Sequence, residues 1–408
     1  MDTQGFRHPL TYFTFGFLIL GLISLPAVIS YFELHPIFFK IIIFQVISIA
    51  LMCLSIVRLQ DFFGLLSKTS WALVTLLCVI ALLNSSIENG DYHLTIARTA
   101  MWFIHFVFGL CLVLAFRTLS HKQLLWFMLV SLGVGNIIYM GWVLEDLIST
   151  AGIYKPNCVQ VPGFGNVRLT NFAFSGVSAL FFGAYIQHGQ PKWIRAGLFV
   201  LATFCVFYTV YTGSRGAIVS LLAAITLCAI PLRRSVISLF LLFAASLLIS
   251  YLLMTVLQDP SCGSFDIFAR AAEKGMNSIE TFSSGRTEIW KATLELIGQR
   301  PWFGHGEISL REIIGLWVRE AHNSILQSLL AWGIIGALCF WSLIGMASWK
   351  ILRLTIASPL DHIPYALSIV CVLMYLMIDG TLYFSYSILM ATVFTSACFA
   401  VKPPQAKL

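Results

Sequence analysis

Long uninterrupted apolar stretches constrain this chain more than any other feature. About twelve of them run at 11–31, 37–57, 71–87, 97–117, 124–145, 169–187, 194–212, 216–232, 235–257, 323–349, 363–380 and 382–401. A helix that crosses a bilayer needs about 20 mostly apolar residues. Lipid-exposed backbone with unmet hydrogen bonds is too costly at that depth, so each run is expected to be helical. Composition agrees: the chain is 59% hydrophobic and 11% charged, with mean hydropathy +0.87, whereas about a quarter of a soluble domain is charged. The expected fold class is all-α, a polytopic membrane protein of about twelve transmembrane helices. The first run follows Arg7 in the manner of a signal peptide, but it is too long and lacks a small-residue cleavage site, so it reads as a retained span. With no internal repeat and no low-complexity tract, residues 1–408 read as a single integral membrane domain.

Positive charge in short loops sets orientation. Placing the N-terminus in the cytoplasm gives that side Arg7, Arg58, Lys68, Arg117, Lys122, Lys192, Arg195, Arg233, Arg234, Lys350, Arg353, Lys402 and Lys407. The opposite short loops receive only Lys40, Arg98, Lys155, Arg168 and Arg215. Both termini are therefore expected to be cytoplasmic. The net charge of +7 requires no nucleic acid, because much of it lies on the face that meets anionic lipid. Two long connections, 146–168 and 258–322, fall outside. In a Gram-negative host the outside is the periplasm, and 258–322 is its large loop. Cys158 and Cys262 are the cysteines of these outer loops, where an oxidising compartment permits a disulfide between them. The remaining cysteines lie within apolar runs as small fillers.

The polar loop is itself patterned. Ile289, Trp290, Thr293, Leu294, Leu296 and Ile297 fall mostly on one side of a helix from Arg286 to Gln299. Ser283 or Ser284 can cap its start, Glu288 suits the helix dipole, and Arg300-Pro301 ends it. Ile308–Val318 predicts a second amphipathic helix, with Leu310, Ile313, Ile314 and Trp317 on one face. Both are expected to lie flat as a cap, with Trp302 and Phe303 at headgroup level.

Three groups on this outer surface carry chemistry. Arg286 opens the first cap helix, where a cation and free backbone N–H groups both favour phosphate oxygens. Arg215 sits in Thr212-Gly213-Ser214-Arg215-Gly216, a turn whose glycines allow close approach of a ligand. Its guanidinium fork matches a diphosphate better than a lysine would. His322, in Glu320-Ala321-His322-Asn323, is able to take a proton from a hydroxyl near neutral pH. Each has a plainer alternative: arginines at a membrane edge snorkel to lipid phosphate, and a histidine at a helix start bonds loop backbone. His305 is the one competitor to His322. Metal ligands at zinc spacing, a phosphate-binding glycine loop and a Gly-x-Ser-x-Gly elbow are all missing from the sequence. Ionisable groups within spans, which coupled transport uses, are scarce; Asp379 and Arg98 are near edges.

Thr212–Ala217, Ser284-Gly285-Arg286 through Trp290, Arg300-Pro301-Trp302-Phe303-Gly304, and Ala321-His322-Asn323-Ser324-Ile325-Leu326 followed by Gly333-Ile334-Ile335-Gly336 together resemble the O-antigen ligase and polymerase superfamily. The resemblance covers about residues 170–350 by motif. It implies a membrane glycosyltransferase that moves a glycan from undecaprenyl diphosphate to an acceptor at the periplasmic face of the bacterial inner membrane, with inversion. It further implies donor-diphosphate roles for Arg215 and Arg286, and for Arg168, which resembles another arginine at the start of a span. His322 is implied as the group acting on the acceptor hydroxyl. No cofactor and no metal are expected, two arginines taking a divalent cation's place on the diphosphate. The first reading is an O-antigen ligase with lipid A–core as acceptor. The alternatives are an O-antigen polymerase using a lipid-linked repeat, a protein O-oligosaccharyltransferase, and, from another class, a solute transporter.

Overall fold

A computed structural model describes residues 59–87, 92–149, 167–187, 189–232, 236–257, 286–307, 310–315, 318, 320–380 and 385–401. The two N-terminal runs, Cys158 and Cys262 lie outside the described residues. Within them the elements are all helical: α1 (Leu59–Phe63), α2 (Lys68–Ile87), α3 (Tyr92–Phe116), α4 (His121–Ser149), α5 (Val167–Tyr185), α6 (Lys192–Tyr211), α7 (Arg215–Leu232), α8 (Val236–Leu257), α9 (Arg286–Gln299), α10 (Leu310–Ile314), α11 (Ser324–Ala357), α12 (Pro359–Ile378) and α13 (Ser385–Ala400). Ten of the apolar runs thus fall on helices. Among the described residues, six helical stretches, within α3, α4, α6, α8, α11 and α12, are long and apolar enough to cross a membrane; parts of α2, α7 and α13 are apolar but shorter. The protein is an all-α polytopic membrane protein.

α12 is the central post, packed on α5, α7 and α11, while α6 joins α5 to α8. Tyr365 and Tyr375 of α12, Phe172 and Phe181 of α5 and Tyr208 of α6 are fully buried among them. The outward faces are apolar too, as Leu241, Leu248 and Val256 of α8 show. A continuous apolar exterior marks a surface meant for lipid. Some polar side chains inside the bundle pair between helices, as in Thr203 with Ser246 at 2.9 Å.

α11 is not continuous. Gly333 adopts φ 63 and ψ −171 in its middle, a conformation almost confined to glycine. The interruption disturbs the helical ladder, and the loop after α9 pairs with it: His305 N–H donates to Leu330 O (2.7 Å), Gly306 N–H to Ala331 O (2.9 Å), and Ile334 N–H to Pro301 O (2.8 Å). A Cβ on Gly333 would collide with the backbone of Trp302 and Phe303. Asn84 of α2 also donates from Nδ2 to Phe303 O and to Ala331 O. The cap is thereby bonded to a break in a long apolar helix.

α9 follows the sequence pattern. It spans Arg286–Gln299 and buries Ile289, Thr293 and Leu296, with Leu310, Val318, Ala321 and Leu330 in the same cluster. Leu294, expected on that face, is 55% exposed. Of the second helix, the described residues show α10 over Leu310–Ile314, ended by Gly315 at φ 69; Ile308 and Trp317 of that expectation lie outside the described residues. Trp302 and Phe303 are exposed, at 60% and 50%.

The far side of the same loop is held by α3. Arg98 Nη1 donates to Glu307 O at 2.7 Å, and the Glu307 carboxylate lies buried beside Arg98 and the Trp102 side chain. Burial pushes this carboxyl up to about 7, against the opposing pull of Arg98 and of a Trp102 hydrogen bond.

Gly333→Ala should destabilise the protein by about 1–3 kcal/mol from the backbone conformation alone, before the collision is counted; an unchanged thermal midpoint in detergent would refute this tie between the α9 loop and α11. Glu307 gives a pH signature. Its folded value lies above the ordinary 4.5, so the folded chain holds a proton that the unfolded chain releases between about 4.5 and 7. Stability from this group is full below that window and is lost as pH rises through 7. Glu307→Gln should flatten that part of the thermal-midpoint profile.

Candidate active site

The end of α12 collects the groups singled out in the sequence. Asp379 follows its last turn, and its backbone N–H bonds Tyr375 O at 2.8 Å. Arg286, the first residue of α9, donates from Nη1 to Ile378 O, and its Nη2 lies 3.8 Å from Asp379 Oδ2. His322 Nδ1 lies 3.3 Å from Asp379 Oδ1 and 3.1 Å from Glu320 Oε1. The His322, Glu320 and Asp379 side chains are only 5%, 3% and 6% exposed, and Arg286 is 23% exposed. One cation, one imidazole and two carboxylates therefore share a buried corner. In so dry a setting each charge depends on its neighbours.

The local sequence explains how His322 reaches this corner. Asn323 caps α11, its Oδ1 accepting from the N–H groups of Ile325 and Leu326. The Asn323 Nδ2 donates to Met377 O at 3.1 Å, and Ser324 Oγ to Leu376 O at 2.7 Å. The preceding Ala321 is gripped from both sides, by Trp290 Nε1 on its carbonyl (3.0 Å) and Gln327 Oε1 on its N–H (3.0 Å). His322 itself takes φ 51, unusual for a residue with a side chain. Gly380 makes room for that turn: a Cβ there would stand 3.0 Å from His322 N and 3.2 Å from Glu320 Oε2.

Arg215 opens α7 and is exposed. The next residue, Gly216, packs against Ile378 and Tyr375 of α12, which brings the Arg215 turn to the same end of the post as Arg286. Thr212 of that turn is bonded to Asn171 of α5, at 2.9 Å between Asn171 Nδ2 and Thr212 Oγ1. Arg168 is the second residue of α5, so its backbone lies one turn from this tie.

His305 has a different place. It is buried, with Nε2 2.8 Å from Leu296 O and its N–H on Leu330 O, so it joins the end of α9 to the break in α11. The motif reading missed a role for Asp379 and Glu320. A signal was present for Asp379, an acid at the end of an apolar run where ionisable groups are expensive. Glu320 stood two residues from His322, but only folding shows that its carboxylate returns to the ring.

Among the described residues, Glu320, His322 and Asp379 form the one group able to hold a metal ion, their donor atoms lying within 4.8 Å of one another. The same donors suit a proton held between imidazole and carboxylates. Both are chemically open to this set, and removal of metal distinguishes them.

Comparison with known proteins follows the same residues. Residues 197–341 match the family model described as O-antigen ligase, a span that contains Arg215, Arg286 and His322 and excludes Arg168 and Asp379. An O-antigen ligase of Pseudomonas aeruginosa is 29% identical over 208 residues, covering 48% of this chain and 46% of that protein. The match thus spans less than half the length of that relative. The likeness read from the motifs is borne out: the central part of this membrane protein is similar to O-antigen ligases.

Proposed function

We propose that this protein is an O-antigen ligase, transferring a glycan from undecaprenyl diphosphate to lipid A–core at the periplasmic face of the inner membrane, with both termini cytoplasmic. The observation that carries the reading is the meeting of Arg286, Asp379 and His322 at the end of α12, with the Arg215 turn packed on the same end. The motifs that carry Arg215, Arg286 and His322 are far apart in sequence, and their convergence supports a base working beside anion-binding cations.

In this mechanism Arg215 and Arg286 bind the donor diphosphate, and Arg168 is a further candidate from the start of α5. They offset the charge that grows as the diphosphate leaves, which is stabilisation at the atoms where charge develops. His322 accepts the proton of the incoming sugar hydroxyl as the oxygen attacks the anomeric carbon from the face opposite the leaving group. One displacement of this kind inverts the anomeric centre. Asp379 lies between the cation and the base, so it affects both.

The second reading is a polymerase with the same donor and a lipid-linked repeat as acceptor. The two are separated by the lipopolysaccharide of a deletion strain. Core-only lipopolysaccharide with long undecaprenyl-linked chains accumulating is the expected result; core plus a single repeat would transfer the assignment to a polymerase. His322→Ala should fail to restore full-length lipopolysaccharide in that strain, whereas a transporter would keep its flux.

Purified protein should transfer glycan undiminished after treatment with EDTA, because the arginines serve the diphosphate. Activity lost in chelator and restored by a divalent ion would instead make Glu320, His322 and Asp379 metal ligands and overturn the arginine mechanism.

A further inference from the structure

We propose that Glu320 is a positioning residue that fixes the tautomer of His322, holding its proton on Nδ1 so that Nε2 is the atom that takes the acceptor's proton. The inference rests on the reading of His322 as proton acceptor. Imidazole has two nitrogens, and in its neutral form one donates while the other accepts. Here Nδ1 faces the Glu320 Oε1 at 3.1 Å and the Asp379 Oδ1 at 3.3 Å. Carboxylates accept and do not donate when ionised, so the hydrogen belongs on Nδ1 and the lone pair on Nε2. When Nε2 gains a proton, the imidazolium forms beside negative charge that stabilises it. The same logic holds the histidine of a serine-hydrolase triad.

The two carboxylates have different work. Asp379 comes from the end of α12 and divides itself between His322 and Arg286, whose Nη2 stands 3.8 Å from its Oδ2. Its charge is therefore tied to the donor-side cation. Glu320 comes from the His322 loop itself and travels with the ring. The backbone is bent to bring them together: His322 takes φ 51, and the bare α-carbon of Gly380 fits where a Cβ would press on His322 Cα at 3.1 Å and on Glu320 Oε2 at 3.2 Å. Holding a histidine in the left-handed region costs energy. What that turn secures is a ring directed by its own neighbouring acid.

The proton and electron count is simple. The acceptor O–H bond breaks and its hydrogen passes to His322 Nε2. The acceptor oxygen bonds the anomeric carbon, and the bond from that carbon to phosphate oxygen breaks, its electron pair leaving with undecaprenyl diphosphate. Glu320 keeps its charge throughout, and the imidazolium returns its extra proton to solvent after product leaves.

The test uses full-length protein in detergent, with undecaprenyl-diphosphate-linked glycan as donor, lipid A–core as acceptor, and undecaprenyl diphosphate alone as the binding probe. Among the described residues, Glu320 on its own loop and Asp379 from α12 face His322, with Arg286 of α9 reaching the other oxygen of Asp379, and only Glu320 is changed. Glu320→Gln should lower kcat at least tenfold, as loss of an orienting partner commonly does. Affinity for undecaprenyl diphosphate and the acceptor KM should stay within about twofold, since a positioning role leaves binding intact. The acidic limb of the kcat–pH profile should move to lower pH, because a carboxylate beside a base favours its protonated form and a glutamine amide does not. Glu320→Asp should recover part of both effects. A Glu320→Gln protein with unchanged kcat and limb overturns the inference, and so does one that has lost undecaprenyl diphosphate binding, which would make Glu320 structural. Full activity in His322→Ala would overturn the proposed mechanism itself; an inactive His322→Ala beside a normal Glu320→Gln would overturn this inference alone.

Discussion

Backbone groups have no water to turn to inside a bilayer, and that requirement governs how the cap and the bundle are joined. Where α11 breaks at Gly333, carbonyls of Leu330 and Ala331 accept from His305 and Gly306, and the N–H of Ile334 bonds Pro301 O. Leu330 and Ala331 are buried, and each buried backbone group left unpaired would cost about 1–3 kcal/mol. The loop that meets the break is the continuation of α9, so the start of α9, Arg286, is placed by the same contact. The N-terminal half of α11 is placed by it as well, and that half begins directly after His322. A single interruption in one helix therefore positions both Arg286 and His322.

The end of α12 completes this arrangement. Its last carbonyls, at Leu376, Met377 and Ile378, accept from Ser324, Asn323 and Arg286. A helix C-terminus carries negative partial charge and groups in need of partners, and here those partners come from two other elements. Asp379 then adds a full charge that meets Arg286 and His322 together. Gly216 brings the Arg215 turn onto Ile378. Residues up to 92 apart in the chain are gathered because each bonds the same helix end.

Much of this architecture was readable in the residues. Hydropathy located ten of the described helices, and the spacing of Ile289, Thr293 and Leu296 gave the buried face of α9. Arg300-Pro301 marked its end. The reading of Ile308–Val318 overreached, since amphipathic spacing across Gly315 says nothing of that glycine's positive φ. His305 and His322 were indistinguishable by composition. The first is occupied by the carbonyl of Leu296, while the second faces two carboxylates.

What the sequence by itself determined is the class: long apolar runs can only be satisfied as membrane helices, and the arginine and histidine motifs identify a ligase-like segment. Tertiary structure alone decided which groups act on one another. Asp379 lies 57 residues beyond His322 in the chain, in no pattern that links them, and Glu320 is sequence-adjacent yet had no assigned direction. Both meet the ring because α12 ends where α11 begins and because Gly380 lacks the atom that would keep them apart. Distances between side chains depend on how helices pack, and packing is a property of the whole bundle rather than of any one run.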